Sequence, residues 1–71
     1  MKIVIKDESI KIGQLLKKVG FISTGGSSKR FLEKNQIKIN GKVPEGRSTK
    51  VPVGSTVWIN DELFQVVLEG E

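Results

Sequence analysis

The tightest local constraint in this chain is the run Ile37-Lys38-Ile39-Asn40-Gly41-Lys42-Val43. Alternating residues flank Asn40-Gly41, the preferred pair for a two-residue turn that needs positive φ at both positions. A β-hairpin is expected here. Ahead of it, Ile12, Leu15, Leu16 and Val19 fall at i, i+3, i+4 and i+7, one face of an amphipathic helix that Gly20 can terminate. Asp7, Glu8 and Ser9 read as turn and helix-start chemistry, with the acids placed near a helix N-terminus. The tight connection Ser23-Thr24-Gly25-Gly26-Ser27 leads to a second helix over about Ser27 to Lys34. That helix buries Phe31 and Leu32 and stops near Asn35, a residue tolerant of left-handed geometry. Lys2 to Lys6 reads as a short strand, Pro44 to Thr49 as loop. Val51, Val53 and Thr56 to Ile59 give further extended structure, and Leu63 to Leu68 a last strand. Two short helices followed by several strands predict an α+β domain. Both helices pack on one side of a small, mostly antiparallel sheet, with added N- and C-terminal strands able to pair with each other.

Size and composition then limit what such a domain can do. Seventy-one residues are read as one domain, 1–71, which buries only about 60% of the surface of its unfolded chain. With so small a core there is little stability to invest in a strained catalytic pocket. Cysteine and histidine are both absent, which removes thiolate metal sites, disulfides and the usual general base. No titratable pair has convincing catalytic spacing, so neither catalytic nor metal-ligating residues are assigned, and no cofactor is expected. No apolar run approaches the roughly 20 residues that span a bilayer. A soluble, cytoplasmic domain without membrane contact is expected.

The charge is segregated. All 12 Lys and Arg residues lie between Lys2 and Lys50, together with Asp7, Glu8, Glu33 and Glu45. The other four of the eight acids, Asp61, Glu62, Glu69 and Glu71, occupy a C-terminal stretch with no basic residue. The net +4 is therefore +8 in the first part against −4 in the last. Such a distribution makes a directional field that attracts and orients a polyanion.

The order of the signals resembles the RNA-binding domain named after ribosomal protein S-four, also called the αL motif, and above all its short free-standing bacterial members, the YaaA-like proteins. Ile12, Leu15, Leu16 and Lys17 are similar to the family's first-helix pattern. Thr24, Gly25, Gly26 and Lys29 look like the Thr-Gly-Gly-x-x-Lys start of the second helix. Ile37, Ile39, Asn40 and Gly41 match its hydrophobic-x-hydrophobic-Asn-Gly signature, Arg47 and Lys50 its basic loop, and Gly54 the opening of the next strand. The likeness covers about residues 10–60. Ser28 stands where a small apolar residue is usual, Ser55 where Asp is usual, and Arg47 alone where two arginines are frequent. The resemblance implies a non-catalytic module that binds structured RNA, ribosomal RNA or tRNA, with the ribosome as a further partner.

A site can be read beside the resemblance. Lys29, Arg30 and Lys34 lie on or next to the second helix, the first two in its first turn, where free backbone N–H groups favour phosphate. Lys38, Lys42, Arg47 and Lys50 come from the hairpin and the loop beyond it. If the hairpin packs beside the second helix, these seven groups form one concave basic surface. Lysines would then act as point charges, while Arg30 and Arg47 could clamp a phosphate bidentately or stack on a base. Phe21, Phe31 and Phe64 read as core, and Trp58 as a half-buried strand residue, so recognition of backbone shape is expected rather than stacking on an aromatic platform. Gly25-Gly26 lacks the remainder of a G-x-x-x-x-G-K-[ST] loop. The alternative is a protein–protein adaptor, ribosome-associated, that offers the same basic face to an acidic partner. A monomer is favoured, although a sheet edge could pair with its copy.

Overall fold

The computed structural model describes residues 1–24, 27–46 and 48–70. Along the chain lie β1 (Lys2–Ile5), β2 (Ser9–Lys11), α1 (Ile12–Val19), α2 (Ser27–Lys34), β3 (Ile37–Ile39), β4 (Lys50–Pro52), β5 (Thr56–Ile59) and β6 (Glu62–Leu68). Four strands form one sheet in the order β1-β6-β5-β3, while β2 and β4 make a separate two-stranded ladder. β1 runs parallel to β6, joining the two terminal strands as expected; the other pairings are antiparallel.

Strand alternation turns one face of the large sheet into the core. Ile3 opposes Val66, Val57 opposes Phe64, and Ile37 and Ile39 oppose Ile59 and Val57. All of these are buried, together with Ile12, Leu15 and Leu16 of α1. The second helix joins through Phe31 and Leu32, which pack on the same cluster. Phe21 links the layers: its ring lies 5.4 Å from that of Phe31 and 6.1 Å, edge-on, from that of Phe64. Burying each aliphatic side chain contributes about 1.5–3 kcal/mol, and in a chain this short that one-sided cluster carries the fold. The α+β architecture read from the sequence is the one observed.

The helix ends follow local chemistry in one case and tertiary pairing in the other. Gly20 closes α1 at φ 99°, where its N–H and that of Phe21 both donate to the Leu16 carbonyl (3.1 and 2.9 Å). This is a Schellman-type end that favours glycine. The start of α1 is not built from Asp7-Glu8-Ser9. Ser9–Lys11 is instead drawn into the ladder with β4, α1 has no acid in its first turn, and the Ile12 N–H is satisfied by the Thr49 carbonyl at 2.8 Å. Cross-strand bonding thus takes over the role expected of the cap. Nor is Asn35 left-handed: its backbone and side-chain N–H groups both donate to Phe31 O at 3.0 Å, and the positive-φ non-glycine residues among those described are Asn40 and Asn60.

Those two asparagines lock the β3–β5 pair at its two ends. Asn40 (φ 52°) and Gly41 (φ 85°) form the expected turn, closed by Ile39 N–H to Lys42 O at 2.7 Å and Lys42 N–H to Ile39 O at 3.0 Å. Among the described residues the pairing stops at that one bridge: the expected hairpin has no second strand, and β3 pairs with β5 instead. Asn40 N–H donates to Thr56 O (2.8 Å), and its side-chain Oδ1 accepts from Thr56 N–H (2.9 Å). At the far end Asn60 (φ 55°) repeats the device, donating to Gln36 O (2.7 Å) and accepting from Gln36 N–H through Oδ1 (3.1 Å). In each case left-handed backbone turns the main-chain carbonyl away, and the side-chain carbonyl takes its place in the ladder. The amide groups tie in the neighbours: Asn40 Nδ2 donates to Ser55 Oγ (3.2 Å) and Asn60 Nδ2 to Asn35 Oδ1 (3.1 Å).

Candidate nucleic-acid interface

The second helix presents its cations outward because its other side is committed to the core. Ser28 is buried and Phe31 and Leu32 are partly so, which leaves Lys29, Arg30, Glu33 and Lys34 exposed on the opposite arc. Arg30 and Lys34, one turn apart, line a recess of about 320 Å³ between α2 and the Phe21–Ser23 turn, floored by Phe21 and Phe31. Glu33 shares the exposed arc with Lys29, so the positive face of this helix is interrupted by one acid.

The second basic site lies where the Asn40-Gly41 turn meets the small ladder. Lys42 and Lys50 line a groove of about 540 Å³ together with Asn40, Pro44, Thr49 and the acid Glu45. The Asn40 bonds described above fix the turn that carries Lys42, and the β2–β4 ladder fixes Lys50. Arg47, the remaining cation of this loop in the sequence reading, lies outside the described residues.

That ladder adds a residue that sequence reasoning missed. Lys11 stands directly opposite Lys50 in the β2–β4 register, and both side chains are exposed. Cross-strand neighbours have Cβ atoms about 4.5–5.5 Å apart, and like charges so placed are destabilising. The register thus places two lysines opposite each other on the ladder whose Lys50 lines the Lys42 groove. Only the long-range pairing of two three-residue segments brings them together, and no local pattern in the sequence announces it.

Lys38 goes elsewhere. Ile37 and Ile39 on either side of it are buried in the core, so Lys38 projects from the other face of the sheet, opposite Trp58. Of the sequence-derived cations, Arg30 gathers with Lys34 and Lys42 with Lys50, which Lys11 joins from across the ladder, while Lys29 lies exposed on α2 and Lys38 is on the reverse face. Among the described residues no group of His, Cys, Asp or Glu could hold a metal ion. No helix among them is long and apolar enough to cross a membrane.

Comparison with known proteins agrees with this architecture. The chain is 38% identical over 66 residues to a Bacillus subtilis (strain 168) protein named "Probable ribosome maturation protein RlbA", covering 92% of this chain and 93% of that one. The family profile described as "S4 domain" matches residues 3–67, a span that takes in both terminal strands as well as the helices and the Asn40-Gly41 turn. The chain belongs to the S4 domain family.

Proposed function

We propose that residues 1–71 act as one non-catalytic RNA-binding domain that docks its basic side on structured RNA, ribosomal RNA above all. The observation that carries this reading is the Lys11–Lys50 pair beside Lys42. Two cations held opposite each other destabilise the free domain, and a phosphate between them converts that repulsion into attraction. Arg30 and Lys34, with Lys29, supply a second contact. Only Asn35 and Gln36 separate α2 from β3, which keeps the end of the helix close to the start of that strand. Arg47 joins the set on its sequence position. Family membership and a relative named for ribosome maturation favour a ribosomal RNA target in the cytoplasm over an acidic protein partner.

The recognition would read backbone shape. Lysines serve as point charges along phosphates, and Arg30 can bond a phosphate through two N–H groups. A salt titration with a folded ribosomal RNA fragment tests this. Four to six phosphate contacts predict that log affinity falls with log salt at a slope of about −3 to −5, with duplex DNA bound more weakly. A slope near zero would replace the RNA reading with that of an adaptor for a protein partner. Crosslinking followed by sequencing of the captured RNA identifies the target.

A further inference from the structure

The reverse face of the four-stranded sheet is uncovered, and its composition is unusual for solvent. Trp58 (42% exposed), Leu63 (43%), Val4 (46%) and Met1 (84%) stand on or beside it. Strand registers place Lys38 opposite Trp58, Trp58 opposite Leu63, and Lys2 opposite Gln65. The two lysines thus sit on the two edge strands, with Leu63 and Trp58 on the strands between them, and no carboxylate occupies a strand position on this face. At the Trp58 end, Gln36, Lys38, Trp58 and Asn60 line a recess of about 250 Å³.

We propose that this face holds an unpaired nucleotide of the bound RNA, its base stacked on the Trp58 indole and its phosphate on the Lys38 ammonium. The inference rests on the RNA-binding reading above and adds a second contact on the side away from the helices. Its chemistry is that of a single-strand site: a π-face for a base, a cation one strand away for the backbone, and the Gln36 amide for a base edge. Charge selects this occupant: Lys38 and Lys2, with no carboxylate at a strand position on this face, suit a polyanion rather than a second copy of this basic chain. The Asn40 and Asn60 locks hold β3 and β5 in register from both ends, which keeps Lys38 and Trp58 side by side before any ligand arrives.

Trp58 is the one tryptophan of the chain, so its fluorescence reports the site directly. A short oligoadenylate is titrated into the protein, and expected to quench the emission. Trp58→Ala should weaken oligoadenylate binding about 5- to 150-fold, the range found for loss of one base–aromatic stack, while Trp58→Phe retains most of it. Lys38→Glu, at a fully surface position, gives the same loss without any demand on the fold. An unquenched emission, or unchanged affinity in both Trp58→Ala and Lys38→Glu, would overturn the proposal. So would a concentration-dependent dimer in sedimentation that Trp58→Ala abolishes. If folded ribosomal RNA still binds with its full salt slope while these variants have no effect, this site alone falls; if no RNA binds at all, the broader reading falls with it.

Discussion

Replacing Ser28 with alanine should make the protein more stable. Ser28 is 1% exposed, on the buried side of α2, and its Oγ has no hydrogen-bond partner among the described residues. A buried polar group left unpaired costs about 1–3 kcal/mol of desolvation, and alanine is about 0.5 kcal/mol the better helix former. Against this, removing one oxygen forfeits a few dispersion contacts, each worth about 0.1–0.2 kcal/mol. The balance is a gain of about 1–2 kcal/mol. For a domain of this size 1 kcal/mol moves Tm by about 4–8 °C, so thermal unfolding followed by circular dichroism should show a rise of roughly 5–15 °C. The resemblance noted from the sequence, which puts a small apolar residue at this position, agrees with that direction. An unchanged or lowered Tm would refute the reasoning, because it would mean that the hydroxyl is paired in the folded protein.

Other consequences are as direct. Asn40→Ala loses the bonds to Thr56 N–H and Ser55 Oγ and places a non-glycine residue without a local polar group at φ 52°; a cost of about 2–4 kcal/mol is expected. Asn40→Gly should cost less, since glycine adopts that φ freely, and equal losses in urea denaturation would remove the strain part of the account. Leu16→Ala empties a fully buried position and should cost about 2–5 kcal/mol, enough to unfold a domain this small; a well-folded variant by circular dichroism would mean that the core tolerates the cavity. Arg30→Glu should lose affinity for folded RNA in filter binding while keeping its wild-type Tm, and a fall in Tm instead would assign Arg30 to structure.

Much of the fold was written locally. The i, i+3, i+4, i+7 spacing from Ile12 to Val19 and the Asn40-Gly41 pair each specify a local element, and the helix and the turn form as read, although the turn closes a single bridge and not a two-stranded hairpin. What remained hidden depends on distant partners. Asp7-Glu8-Ser9 carries good helix-start chemistry, yet Ser9–Lys11 finds Lys50–Pro52 across the molecule and the strand forms instead. Asn60 becomes the counterpart of Asn40 only through its bonds to Gln36, twenty-four residues away. The site was legible to the same extent. Residue type and position pick out the candidate cations of α2 and of the loop, but not Lys11, whose place opposite Lys50 arises from a three-residue ladder. The face to which Lys38 points follows from strand alternation only once β3 is known to lie on a one-sided sheet.

The Lys11–Lys50 pair offers the sharpest test of the proposed interface, because one substitution should move stability and binding in opposite directions. Lys50→Gln removes a like-charge contact and one phosphate partner together. The expected result is a Tm above that of the unaltered protein, with affinity for the folded ribosomal RNA fragment reduced and the salt slope shallower by about one unit. A lowered Tm, or an affinity and slope that do not change, would contradict the account.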